Sequence, residues 1–346
     1  MRDDDNMEDN RRKIRLIFLL MVVSLSGAAF MGLFMGRFMV KPVDVLSILG
    51  HRFLGIGETL DETMTFVVLN IRLPRVILNI LVGAALAVAG ASFQGMFQNF
   101  LVSPDILGVS SGAGFGAALG IILTSSVGPA TTLLAFGCGI LSVVITYSLS
   151  KIGKESSVLS LVLAGIIVAA VFNALISLMK FVADIEQQLP AITFWLMGSF
   201  ANKNYQDVQT IIIPVGLGIT LLLALRWRIN ILSLGDEEAY SLGVNPRLTR
   251  LMVIFAATII TAASVTVTGI IGWIGLVMPN ICRMLVGADH RYLLPASGIA
   301  GAILMVIVDI LARSLTPAEI PIGVLTALVG APFFAAIFRK TGRNCG

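Results

Sequence analysis

Uncharged apolar runs set the rhythm of this chain. They occupy residues 16–36, 76–104, 106–150, 156–179, 208–225, 251–282, 292–308 and 320–338, and short segments between them hold nearly all the charge. A helix needs about 20 apolar residues to cross roughly 30 Å of hydrocarbon, so most runs predict one crossing each. The run 106–150 is too long for one helix and breaks at Ser125-Ser126-Val127-Gly128-Pro129, where turn-forming residues cluster. The run 251–282 contains Gly269 and Gly272 and divides into a full helix and a shorter one that ends near Val286. The pattern therefore predicts ten spans. A further uncharged stretch, 187–202, has 16 residues and is broken by Pro190 and Gly198. It is too short to cross comfortably, and its aromatic content predicts an interfacial or re-entrant helix near 190–200.

Composition agrees with an all-α integral membrane protein: 57% of the 346 residues are hydrophobic and only 13% are charged. The location of charge says more than its sum of +4. Ten spans and a cytoplasmic N-terminus put sixteen of the 24 Lys and Arg residues inside and eight outside; making 187–202 an eleventh span changes this to nine inside and fifteen outside. Ten spans with both termini in the cytoplasm is the topology that places positive charge correctly. That topology gives a cytoplasmic tail at 1–15 and one transmembrane domain over 16–343. RRKIR at 11–15 precedes the first run, which at 21 residues is read as a retained helix rather than a cleaved leader. Arg72 and Arg75 of NIRLPRV then fall on the outer side, so something must hold these cations there.

Candidate chemistry is sparse. Cys138, Cys282, Cys345, His51 and His290 show no CxxC and no helical His pair, so no disulfide framework, metal site, cofactor or catalytic residue is expected. No Asp, Glu, Lys or Arg falls near mid-membrane, where ion-coupled carriers place the groups that move the coupling ion. Gly153-Lys154 is followed by Glu155 and lacks the preceding glycine of a phosphate-binding loop. Energy for any transport must come from another chain. Gly108, Gly112, Gly116 and Gly120 recur every four residues and predict a bare helix face for close packing. Asn79, Gln94, Asn173 and Ser177, with a Thr/Ser series from Thr258 to Thr268, are expected to bond between helices.

The segment 226–250, RWRINILSLGDEEAYSLGVNPRLTR, is the largest cytoplasmic loop motif. Asp236 is placed as an N-cap, Glu237 and Glu238 put negative charge in a first turn, and Gly243 closes the helix. Asn245 and Pro246 open the next helix. The expectation is a helix of about two turns beneath the membrane that presents Ala239, Leu242 and the carboxylates.

IRLPR (71–75), ILVGAALAVAGASFQGMFQN (80–99), SPDILGVSSGAG (103–114), LGDEEAYSLGV (234–244), GWIGLVMPNICRMLVGADHR (272–291) and EIPIGVLTALVGAPFF (319–334) resemble, in order, the permease subunits of ABC importers for iron chelates and cobalamin. The similarity runs from about residue 16 to the end. It implies the type II importer permease fold of ten helices, a second permease subunit, two ATPase subunits below and a soluble substrate-binding protein outside, with no nucleic-acid partner. By resemblance Arg72, Arg75 and Arg313 meet acidic side chains of the binding protein. Residues 235–243, from Gly235 through Asp236, Glu237, Glu238, Ala239 and Leu242 to Gly243, enter a groove on the ATPase. The fifth and tenth helices line the pathway, and FWLMGS (194–199) is the short helix at its mouth. Arg313 has a competing partner in Asp309, one turn earlier. The sequence departs from the family at Phe100 and Asn280, where relatives carry Pro and His. The implied activity is import of an iron chelate such as a ferric siderophore across the cytoplasmic (inner) membrane of a prokaryote by a homodimeric gate that hydrolyses no ATP itself; cobalamin, haem, molybdate or tungstate are alternatives on the same fold, and an ion-coupled secondary transporter is the competing class.

Overall fold

The computed structural model describes residues 2–55, 61–152 and 158–342, with side chains described from 11 to 335 within those ranges. Gly153, Lys154, Glu155 and Cys345 lie outside the described residues. Every regular element among them is helical: α1 (Arg2–Phe34), α2 (Pro42–Leu54), α3 (Glu62–Phe66), a π-helical turn (Val67–Arg72), α4 (Leu73–Phe97), a 3-10 turn (Pro104–Leu107), α5 (Val109–Thr124), α6 (Pro129–Ser150), α7 (Val158–Val182), α8 (Gln188–Met197), α9 (Tyr205–Leu232), α10 (Asp236–Ser241), α11 (Pro246–Thr268), α12 (Ile274–Val286), α13 (His290–Ser314) and α14 (Ile322–Gly342). Among the described residues, seven helices are long and apolar enough to cross a membrane, and α5, α12 and the 322–335 part of α14 are shorter apolar helices.

α4 is the central post. It packs on α13, α9, α11 and α12, and nearly every side chain from Pro74 to Phe97 is buried. Glycine sets these distances. Gly83 of α4 and Gly301 of α13 face each other so closely that a Cβ on either would strike the other's carbonyl, and Gly90 meets the backbone of Gly275 in α12 in the same way. The α5 stripe works as expected at three positions: a Cβ on Gly112 would lie 2.5 Å from the Cys138 carbonyl, one on Gly120 2.7 Å from Thr131 Cα, and one on Gly116 would clash with the Leu134 carbonyl, all in α6. Close backbone approach of this kind is what holds helices together where lipid offers no hydrophobic driving force. Gly108 differs. Its φ of 83° makes it the left-handed residue that ends the 3-10 turn and starts α5, so it turns the chain rather than packing on α6.

The second crossing begins well before the apolar run 76–104. Glu62–Phe97 forms one continuous 36-residue helical run, so Pro74 lies inside it instead of opening it. The π-helical turn just before Pro74 accommodates the ring and the missing N–H. In that register the unmade bond is to Leu69, and the Tyr205 hydroxyl donates to the Leu69 carbonyl at 2.7 Å in its place. In α11, Ser264, Thr266 and Thr268 bond back to carbonyls four residues earlier in their own helix, where bonds between helices were expected. Gln94 does bridge helices, donating to the Leu276 carbonyl of α12 at 3.3 Å.

Candidate functional site

Three arginines meet at one end of the bundle, and all are buried: Arg72 is 4% exposed, Arg75 and Arg313 7%. The expectation was that they meet acidic side chains of a binding protein outside. The structure turns these side chains inward because each has partners there. Arg72 Nη1 donates to the carbonyls of Leu33 and Phe34 at 2.8 Å, and Nη2 to that of Phe38. Arg313 Nη2 donates to the Gly32 carbonyl. Gly32, Leu33 and Phe34 are the last residues of α1, whose final carbonyls have no intrahelical donor. Arg72 and Arg313 thus cap a helix C-terminus, where positive charge also suits the macrodipole.

Arg75 sits between two carboxylates. Its Nε bonds Asp309 Oδ1 at 2.9 Å, and its Nη1 and Nη2 take Glu319 Oε1 and Oε2 at 3.0 and 2.9 Å, a bidentate pair. Asp309 also reaches Arg313 Nε at 3.5 Å, the one-turn pairing noted from the sequence. The Asp309 side chain is 1% exposed and that of Glu319 26%. Glu319 lies in the connection between α13 and α14. Burial works to raise its pKa, but the hydrogen bonds and charge of Arg75, with Arg37 and Arg313 beyond, hold it below the ordinary glutamate value. The sequence reading missed Glu319 entirely; its one signal was the first position of EIPIGV.

The same end holds the short helix α8. The Ile322 N–H at the start of α14 donates to the Gly198 carbonyl at 2.9 Å, and Gly323 lies so near the Met197 carbonyl that no Cβ would fit.

At the opposite end the loop helix forms as expected, with two corrections. Asp236 is its first residue, not its cap, and its carboxylate takes Arg250 at 2.8 and 2.6 Å, tying α10 to α11. Ala239 is fully buried against Ile231 and Val244, so the apolar side chains presented are Leu234, Tyr240 and Leu242. Glu237 and Glu238 are exposed. Gly243, at φ 77°, closes the helix: its N–H bonds Tyr240 and that of Val244 bonds Ala239, the paired closure of a Schellman motif. Asn245 caps α11 through the Leu248 N–H at 3.2 Å. Nearby, Arg283 Nη1 and Nη2 are held by Asn280 Oδ1 and Gln94 Oε1 at 2.8 and 3.0 Å, and Asn280 in turn holds the Phe100 carbonyl at 3.1 Å. Asn280, the family departure, is therefore a structural bridge between α12 and the turn after α4.

A glycine-packed helical bundle, ion-paired at one end and carrying a capped acidic helix at the other, is the build of a multi-pass membrane permease. The chain belongs to the FecCD transport family, which matches residues 14–340, and is the permease of an ABC importer. It is 41% identical over 327 residues to the molybdate import system permease protein MolB of Haemophilus influenzae, covering 94% of this chain and 95% of that protein. It is 40% identical over 296 residues to the hemin transport system permease protein HmuU of Yersinia pestis, covering 83% and 87%. A solved inward-facing structure described as a metal-chelate type ABC transporter matches with a TM-score of 0.84 at 38% identity, covering 94% of this chain and 99% of that one.

Proposed function

We propose that this chain forms a homodimeric, ten-helix gate that imports an iron chelate, a ferric siderophore, with both termini in the cytoplasm and the arginine cluster outside. Each copy supplies the seven long and three shorter apolar helices as ten crossings, and the tail 1–15 with the domain 16–343 is one functional unit. A binding protein docks outside; two ATPase subunits bind below and act through 235–243.

One observation carries the paired-gate reading. Asn173 and Ser177 lie in α7 one turn apart and are exposed on a helix otherwise covered outside by Ile166, Ile167, Val171 and Leu178. A polar amide facing hydrocarbon is costly, so that face belongs against a second copy or along an aqueous path. Selective transport by a weakly polar wall suits a metal already wrapped by its ligand. The molybdate permease at 41% identity supports an oxyanion as the second reading. Uptake into proteoliposomes holding this chain, its ATPase and its binding protein separates the two: radiolabelled ferric siderophore accumulates under the first reading and radiolabelled molybdate under the second. Accumulation of neither would overturn both.

A further inference from the structure

Two of the three candidate arginines are engaged at the end of α1: Arg72 gives its Nη donors to the carbonyls of Leu33, Phe34 and, just beyond the helix, Phe38, while Arg313 gives Nη2 to the Gly32 carbonyl and pairs its charge with Asp309. Arg75 is different, because its two carboxylates are unequal. Asp309 projects from a helix and is sealed from solvent, whereas Glu319 covers the remaining edge of the guanidinium from a loop and keeps 26% of its side chain exposed. We infer that Glu319 is a place-holder: it occupies Arg75 until an acidic side chain of the delivery protein replaces it, and its departure frees the connection that seats α14. This inference rests on the docking reading proposed above and names the group on which docking acts.

The exchange is chemically even. One bidentate carboxylate–guanidinium pair is replaced by another, Asp309 stays in place throughout, and Arg37 and Arg313, which already act on the Glu319 carboxylate, attract its successor equally. The mechanical consequence follows from the backbone. Residues 315–321 join α13 to α14, tethered by Ile320 N–H to the Ala312 carbonyl at 3.0 Å; directly after them Ile322 and Gly323 rest on Gly198 and Met197 at the end of α8. Glu319 is the side chain that pins this connection to α4. Its release therefore loosens the seat shared by α8, which the family resemblance puts at the mouth of the pathway, and α14, which it puts along the pathway.

The test uses the full chain in nanodiscs with its ATPase, and the binding protein of its own transport system as probe. Glu319→Gln removes the competitor, so affinity for the probe rises about tenfold if the covered state dominates the free chain. Arg75→Gln loses binding whichever carboxylate it meets. Glu319→Cys supplies an independent readout: labelling by a membrane-impermeant maleimide speeds up when saturating probe is added. If wild type binds and Glu319→Gln binds equally or more weakly, or if labelling is unchanged by the probe, the place-holder is refuted while docking stands. If wild type fails to bind the probe, the docking reading falls first.

Discussion

At the scale of single residues, Arg75 is where burial and charge meet. Removing one member of a buried pair strands the other in a medium that cannot solvate it, which costs about 3–5 kcal/mol. Asp309→Ala, which leaves Arg75 one partner fewer in a sealed site, should lower stability by about 3 kcal/mol, whereas Glu319→Gln at the half-open edge should cost about 1 kcal/mol or less. Unfolding by denaturing detergent, compared with wild type, ranks the two. The Glu319 contribution also has a pH signature. Burial opposes its charged form, Arg75, Arg37 and Arg313 favour it, Asp309 is the acid that shares Arg75 with it, and the net effect places its folded pKa below the ordinary 4.5. A depressed acid contributes fully above its unfolded value and loses that contribution as pH falls through the folded one. The stability difference between wild type and Glu319→Gln should therefore hold constant from about pH 7 to about pH 5 and shrink only below the ordinary glutamate range. A difference that already declines near pH 6 contradicts the pairing.

At the scale of elements, local signals were legible and distant ones were not. The division of 251–282, the short helix near 190–200, the Gly243 closure and the Asn245 cap could all be read, because each depends on residues within one or two turns. The α5 stripe was legible as well, apart from Gly108, whose left-handed φ answers to the preceding turn. The ion pairs of Arg75 were hidden for the opposite reason: Asp309 and Glu319 are 234 and 244 residues away in the chain, and only the fold brings them together. Side-chain direction was hidden too, since the sequence of α10 cannot tell that Ala239 faces Ile231 while Leu242 faces out. Two substitutions exploit these faces. Gly116→Leu forces α5 off α6 and should abolish folded protein, whereas Gly137→Leu, with open space around it in α6, should be tolerated; size-exclusion profiles in detergent tell them apart. Exchanging the exposed Glu237 and Glu238 for Lys leaves the Asp236–Arg250 tie intact and should uncouple ATP hydrolysis from uptake, so hydrolysis continues while substrate accumulation falls at least about tenfold. Paired hydrolysis and uptake assays decide this.

At the scale of the whole molecule, the ionisable groups that define the ends lie far apart, and one element touches both. The arginine end of α4 holds Arg75; its other end holds Gln94, which grips Arg283, and Gln98 just beyond donates to the Leu232 carbonyl at the foot of α9. From Arg75 to Phe97 is roughly 33 Å of helix at the usual rise. The all-helical membrane architecture could be read from hydrophobic rhythm because a membrane restricts the choices so strongly, but this long-range linkage could not. Its consequence is that of a seesaw. A rod gripped at both tips and crossed tightly near its waist at Gly83 and Gly90 has little room to slide, so any tilt carries its two tips in opposite directions, and a pull at the upper tip arrives at the lower one as a push.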